Sequence, residues 1–184
     1  KERERCADDL QSLERITGPF LLFAGGGDEE LSVPVPLDQL LAEVASSHPA
    51  DQLQLELDKF EVMVKPVALS RAVANLIDNA FTYGQAPVVL RLLRTADQCL
   101  IEVWDQGEGM PQRQWEQALQ PFHRLDSSRG GQGHCGLGLA IVVHVARLHG
   151  GHLDCCYAES LIDAKVPGRF AIRLSLPMEL LVEN

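Results

Sequence analysis

VALSRAVANLIDNAF, residues 67–81, has the periodicity of a helix that is buried along one side. Its apolar side chains recur three or four positions apart, which places them on one stripe. These apolar positions are Leu69, Val73, Leu76, Ile77 and Ala80. Asn75 and Asn79 are one turn apart and therefore share a face at the edge of the stripe. The stretch predicts a core helix whose border carries two carboxamides.

The segments around this helix alternate between strand and helix patterns. Residues 53–57 read LQLEL, whose period of two is typical of a half-buried strand, and residues 37–47 have helical spacing. Further strands are predicted over 61–65, 88–93, 99–104, 153–157 and 169–176. Further helices are predicted from Pro111 and over 137–148, with a long polar loop over 120–135 between them. The pattern predicts an α+β fold in which helices cover a mixed sheet.

Residues 1–24 differ from the rest of the chain. A charged run, KERER, precedes apolar positions at helical spacing, and Gly25-Gly26-Gly27 ends the pattern. We therefore predict a terminal amphipathic helix over 1–24, an extended linker over 25–36 and a domain over 37–184. The apolar stripe of the terminal helix is expected either to form part of a helical bundle or dimer interface, or to pack on its own domain.

Composition limits the partners and the compartment. The chain has 184 residues with 46% hydrophobic content, enough for one domain and a short appendage. Its net charge of −10 disfavours nucleic acid, since a polyanion needs a basic surface. The five cysteines include no CxxC pair, which favours a reduced compartment over disulfides or zinc. No apolar stretch approaches the roughly 20 residues of a membrane span, so a soluble fragment is expected.

Three short segments could assemble a nucleotide site. Amide oxygens of the two helical asparagines could hold hydrated Mg²⁺, although asparagines at this spacing also cap or bond locally. Asp105 follows a predicted strand, at the start of DQGEG, where its carboxylate could accept a hydrogen bond from the exocyclic amine of adenine or could simply belong to a turn. Gly136-Leu137-Gly138-Leu139 begins a predicted helix, whose free amides favour anions. In the polar loop, Arg124 and Arg129 could contact phosphate or be solvated.

Four motifs in this order carry a resemblance to a known family. They are Asn75-x-x-x-Asn79, Asp105-x-Gly107-x-Gly109, Pro121-Phe122 and Gly136-Leu137-Gly138-Leu139. They resemble the N, G1, F and G2 boxes of the sensor histidine kinase catalytic domain. That domain belongs to the nucleotide-binding superfamily that includes gyrase, the Hsp90 chaperone and MutL. The resemblance covers roughly residues 35–180, and residues 71–84 are similar to the EnvZ type.

The resemblance implies a Bergerat-type two-layer α/β sandwich with a long ATP lid, and it implies a role for each matched residue. Asn79 would hold Mg²⁺, Asn75 would lie beside the phosphates, and Asp105 would bind the adenine amine. Tyr83 would lie by the nucleoside, and Phe122 would anchor the lid. Gly107 and Gly109 would shape the adenine pocket. Gly136, Leu137, Gly138 and Leu139 would surround the phosphates.

The implied activity is transfer of the γ-phosphoryl group of ATP to a histidine, and then to a response regulator. Residues 1–24 would end the second helix of the dimerisation and phosphotransfer hairpin of a homodimer. None of the six histidines has the His-Glu-x-x-Pro setting of the acceptor, so the acceptor is expected outside this chain. We expect the cytoplasmic domain of an inner-membrane protein. Alternatives are an ATPase of the same fold and, because Thr82 and His134-Cys135 depart from the family pattern, a non-catalytic interaction module.

Overall fold

The computed structural model describes residues 29–123, 136–161 and 165–177, in which four α-helices, one short 3₁₀ helix (Ala158–Ser160) and seven strands are present. The strands are β1 (Val33–Pro36), β2 (Leu53–Leu57), β3 (Glu61–Val64), β4 (Val88–Arg94), β5 (Gln98–Asp105), β6 (His152–Tyr157) and β7 (Phe170–Pro177). The helices are α1 (Leu37–Ala45), α2 (Pro66–Tyr83), α3 (Gln112–Ala118) and α4 (Gly138–Leu148). Among these described helices, none combines the length and the hydropathy that a bilayer crossing requires.

The strands form two sheets, and the larger, five-stranded one is the central sheet of the domain. Its strand order is β2-β4-β5-β7-β6, with β2 parallel to β4 and the other neighbours antiparallel. The mixed sheet and the helices on it confirm the predicted α+β class. The smaller sheet pairs β1 with β3, so residues 33–36 of the predicted linker form a strand. Their prolines fit such a two-stranded edge, where a missing N–H leaves no ladder partner unsatisfied.

One face of the large sheet is covered by helices and holds the main core. All five apolar positions of the α2 stripe are buried, as their spacing predicts. They form one cluster with inward-facing residues of the central strands and of α4, including Leu90, Ile101, Leu174, Ile141 and Val145. This burial is what fixes the rotation of α2, and it leaves Asn75 and Asn79 at the border of the core.

The opposite face of the sheet holds a buried ion pair behind the end of β5. Glu102 is only 1% exposed and accepts hydrogen bonds from Trp104 Nε1 at 2.7 Å and from Arg173 Nε at 2.7 Å. A buried carboxylate is tolerated only when it is paired and hydrogen-bonded in this way. The three side chains therefore tie β5 to β7 just before Asp105.

The beginning of α2 is capped by two distant segments rather than by its own residues. Lys65, the N-cap residue, makes no side-chain cap, and Pro66 at the first turn has no N–H. Glu30 instead accepts the N–H groups of Val67 at 2.6 Å and of the following residue at 2.9 Å. His149, at the end of α4, accepts the Lys65 N–H at 3.0 Å through Nε2. Burial lowers the pKa of His149, which keeps Nε2 neutral and able to accept.

Candidate nucleotide-binding site

A cavity of about 280 Å³ opens between the second half of α2, the end of β5 and the start of α4. This volume is close to the lower limit of about 300 Å³ that is typical of small-molecule sites. Its inner wall is apolar and includes Leu76, Val103 and Ile172. Asn79 and Asp105, which are 26 positions apart in the sequence, both line it. The structure therefore brings these two candidate site residues to one cavity.

Asp105 is the buried carboxylate of the cavity. It is the last residue of β5 and is 5% exposed, and its Oδ1 accepts the Gly107 N–H at 2.6 Å. Burial raises the pKa of Asp105, while the backbone N–H groups of Gly107 and Gln85 act in the opposite direction. Because Gly107 engages Oδ1, Oδ2 retains acceptor capacity for a ligand amine. The arrangement suits recognition of a hydrogen-bond donor on a flat heterocycle.

Two glycines let backbone pack tightly at this end of the cavity. Gly109 has φ +70°, and a Cβ there would lie 2.3 Å from Phe170 Cδ2. A Cβ on Gly84, the residue after α2, would lie 2.4 Å from Asp105 Cγ. Side chains at these positions would displace either the aromatic ring or the carboxylate, so both positions require the absence of a side chain.

The amides of α2 face the beginning of α4. A Cβ on Gly138 would lie 3.2 Å from Asn75 Oδ1 and 3.8 Å from Asn79 Nδ2, so the first residue of α4 lies against both amides. Asn75 donates through Nδ2 to the Arg71 carbonyl at 2.9 Å. Asn79 Nδ2 is buried and has no hydrogen-bond partner among the residues that the structure describes. Leu137, the N-cap of α4, gives no side-chain cap, so within the described residues the first amides of this helix lie beside the two asparagines without an N-cap side chain.

Two exposed aromatic residues belong to the predicted site, and only Tyr83 lines the cavity. Tyr83, at the end of α2, lines the cavity and is 41% exposed. Phe122 is 61% exposed, has φ 64° and donates its N–H to the Gly136 carbonyl at 2.9 Å. Gly136 also lines the cavity. Phe122 thus joins the two ends of the polar loop, whereas Arg124 and Arg129 within that loop lie outside the described residues.

The predicted site residues divide into those on the cavity wall and those beside it. The residues on the wall are Asn79, Tyr83, Asp105, Gly109, Gly136, Gly138 and Leu139. Asn75 and Gly107 lie beside it, against Gly138 and Asp105 respectively. Leu137 is buried in the core, so only its backbone is available to a ligand.

Several wall residues were missed by the sequence analysis, and their signals were weak. Met110, Gln114 and Phe170 line the cavity, as do Gly84 and His123. Phe170 could have been found from the alternation of β7, which places it on the same face as Ile172 and Leu174. Gln114 has no motif signal, because it reaches the cavity only through the packing of α3.

Comparison with known proteins adds a family to this geometry. The model of the histidine kinase-, DNA gyrase B- and HSP90-like ATPases matches residues 64–180. The chain belongs to that family. One curated relative is the sensor protein RstB of Escherichia coli strain K12, which is 38% identical to this chain over 168 residues. The matched region covers 86% of the chain and 39% of RstB. Another is the sensor histidine kinase GtrS of Pseudomonas aeruginosa, 34% identical over 83% of the chain and 32% of GtrS.

Solved structures agree with this assignment. The mycobacterial sensor histidine kinase MprB matches with a TM-score of 0.65 and 28% identity, over 80% of this chain and 97% of that one. The histidine kinase domain of the E. coli osmosensor EnvZ matches with a TM-score of 0.58 and 28% identity, over 85% and 93%. The ATPase-family domain therefore has the fold and the relatives of sensor histidine kinases, while spanning only about a third of the two curated proteins named above.

Proposed function

We propose that this chain is the ATP-binding catalytic domain of a two-component sensor histidine kinase. It binds ATP and transfers the γ-phosphoryl group to a histidine on a dimerisation and phosphotransfer hairpin, from which a response regulator receives it. The observation that carries the proposal is the shared cavity, in which the buried Asp105 carboxylate and the Asn79 amide line one space beside the uncapped start of α4.

The two ends of the cavity suit the two ends of ATP. The apolar wall with the buried acceptor at Asp105 suits adenine, which offers a flat ring and an amine donor. The end formed by Asn79, Gly136 and Gly138 suits phosphates, because backbone amides at a helix start favour anions. Arg124 and Arg129 are proposed to neutralise phosphate oxygens from the lid, and Phe122 to anchor that lid.

The amides fit Mg²⁺ as the resident metal. Mg²⁺ keeps most of its waters and takes few protein ligands, and Asn79 offers its carbonyl oxygen as one such ligand. Its buried Nδ2, which has no acceptor in the described part of the chain, remains able to donate to a bound ligand. Asn79 would hold the ion with Asn75 next to it, and the bound ion would neutralise charge on the phosphate oxygens. No cluster of three or more histidine, cysteine or acidic side chains occurs in the described ranges, so a carboxylate cage is not the alternative there.

The residues of this chain favour transfer over hydrolysis. Hydrolysis requires a base for water, and Asn75 is an amide whose Nδ2 already donates to the Arg71 carbonyl. Transfer to a protein histidine requires chiefly orientation and charge stabilisation, which the asparagines, the start of α4 and the lid could supply. We therefore propose that the acceptor histidine comes from the hairpin, in a homodimeric protein anchored in the inner membrane with this domain in the cytoplasm.

The test is reconstitution with a separately produced hairpin and γ-labelled ATP. Acid-labile label should appear on the hairpin, and Asn79→Ala should abolish both the labelling and the Mg²⁺-dependent calorimetric heat of a non-hydrolysable ATP analogue. Asp78→Asn is the matched control, since Asp78 is adjacent in sequence but its side chain is 60% exposed and lies near His48. Absence of heat with the unaltered chain would refute nucleotide binding. Steady phosphate release without hairpin would instead favour the ATPase alternative.

A further inference from the structure

The turn over residues 106–111 forms one side of the proposed adenine pocket and is held at both ends. At its start, Gln106 donates its N–H to the Gln85 carbonyl at 2.9 Å, which ties the turn to the segment after α2. Near its far end, the Met110 carbonyl accepts the hydroxyl of Tyr157. Tyr157 belongs to none of the four motifs that identify the family, and it lies 47 positions from Met110.

Tyr157 reaches the turn by a second route, through an aromatic contact. It is the last residue of the edge strand β6 and is paired with Phe170 of β7. The two rings have centroids 5.2 Å apart and are tilted by 59°, a favourable arrangement for aromatic side chains. The Phe170 ring in turn lies against the backbone of Gly109 and lines the cavity. One side chain on β6 therefore supports both Gly109 and Met110.

We propose that Tyr157 is a positioning residue for base recognition, holding the turn at Gly109 and Met110 in the shape that adenine requires. The inference rests on the proposed function, because it assigns the base to this end of the cavity. Tyr157 acts from behind the wall, through Phe170 and the Met110 carbonyl, and not by contact with the ligand. Its effect is preorganisation, since a turn fixed before binding has less freedom to lose when the base arrives.

The hydroxyl is suited to this role at neutral pH. Burial raises the pKa of Tyr157, so the group remains a protonated donor to the Met110 carbonyl. Phenylalanine at this position would keep the ring contact and remove the hydroxyl, together with its bond to the Met110 carbonyl and its interaction with the Cys155 side chain. Tyr157→Phe therefore tests the hydroxyl, and Tyr157→Leu additionally removes the aromatic contact.

The test combines nucleotide affinity with backbone exchange. Tyr157→Phe should weaken binding of adenosine and of a Mg²⁺-loaded non-hydrolysable ATP analogue by the same factor of about two to ten, the value of one hydrogen bond. Tyr157→Leu should weaken both further. In the nucleotide-free Tyr157→Phe variant, amide exchange of residues 107–110 should accelerate while exchange in β4 and β5 stays unchanged.

Thr95→Val provides the matched control. Thr95 donates its hydroxyl to the Gln98 carbonyl at 2.9 Å in the β4–β5 hairpin, at the end of β5 opposite to Asp105. Thr95→Val should lose the hydrogen bonds of this hydroxyl, including the one that it accepts from the Gln98 N–H, without any change in affinity or in exchange of the turn. Unchanged exchange of the turn in Tyr157→Phe, or unchanged affinity for adenosine, would overturn the inference. If the unaltered chain binds no adenine nucleotide, the proposed function itself fails, and the two failures are thereby distinguished.

Discussion

Asp105→Asn gives the sharpest test of base recognition, because the structure specifies how the new amide would sit. Oδ1 of Asp105 accepts the Gly107 N–H at 2.6 Å, and this buried donor needs an acceptor in the variant as well. The carbonyl oxygen of the new amide should therefore take the place of Oδ1. Its NH₂ group would then occupy the place of Oδ2 and would face the amine of adenine. Both groups are donors, so no hydrogen bond could form between them.

The magnitude follows from the hydrogen bond that is lost. A hydrogen bond to a charged group contributes about 1.5–3 kcal/mol, which corresponds to a loss of affinity for ATP on the order of 10- to 100-fold. Inosine triphosphate carries a carbonyl oxygen where adenine has its amine. The NH₂ group that opposes adenine can donate to that oxygen, so Asp105→Asn should bind the inosine nucleotide relatively better than the unaltered chain does.

The assay is calorimetry with non-hydrolysable adenosine and inosine triphosphate analogues on both proteins, with thermal melting as the control for folding. The ratio of the two affinities should shift toward inosine in Asp105→Asn, whereas general damage to the pocket would weaken both ligands together. Melting should stay close to that of the unaltered chain, because burial already disfavours the charge of Asp105. An unchanged ratio would refute the assignment of Asp105 to the base.

Three further predictions concern the supports of the site. Glu30→Ala should lower the free energy of unfolding by about 1–2 kcal/mol in chemical denaturation, because the first amides of α2 lose their acceptor. Glu30→Gln keeps a carbonyl acceptor and should lower it less, so equal losses in the two variants would argue against capping. His149 is held neutral because burial lowers its pKa from 6.5, so the stability that it contributes is present above pH 6.5 and is lost as the pH falls. The melting temperature of the unaltered chain should therefore exceed that of His149→Gln by less below pH 6.5 than above it. A difference that grows at low pH would contradict a neutral His149. Gly109→Ala should lower the free energy of unfolding by about 2–4 kcal/mol, because alanine is strained at positive φ and its Cβ would overlap with Phe170. Gly150→Ala, where φ is +67° but no atom lies close to the new Cβ, should lower it by only about 1–2 kcal/mol. Equal losses in chemical denaturation would show that overlap with Phe170 contributes nothing.

The sequence predicted the elements whose pattern is long or strictly periodic. Helix α2 was expected over 67–81 and extends from Pro66 to Tyr83, because its apolar stripe is long enough to fix both type and orientation. The pairing of β1 with β3 was not predicted. Its two prolines removed the usual strand signal, and its partner lies in a segment too short to reveal a period. A local sequence pattern therefore predicts a helix or a strand, whereas strand pairing depends on which distant segment of the chain folds beside that strand.

The same division applies to the candidate site. Asn79 and Asp105 were predicted because four motifs in this order resemble a known family, since an asparagine pair on a helix or an aspartate after a strand also fits a local cap or a turn. Phe170 was missed because a single aromatic residue in a strand is ordinarily core, and its place on the cavity wall depends on the turn at Gly109. The cap that Glu30 provides was missed because it bonds across 37 positions, a separation at which sequence carries no local signal.

The contacts that hold α2 and β5 in place lie away from the cavity to which these elements contribute Asn79 and Asp105. Helix α2 is fastened at its first turn by Glu30 and His149, while Asn79 lies near its other end. Strand β5 is tied to β7 by the Glu102 ion pair on the face opposite the helices, three residues before Asp105. Polar groups that must meet a ligand cannot also satisfy one another, so their orientation has to be set by contacts elsewhere. Distant capping and a buried ion pair therefore hold α2 and β5 so that the Asn79 amide, which has no partner for Nδ2 among the described residues, and the Asp105 carboxylate both remain available in the same cavity.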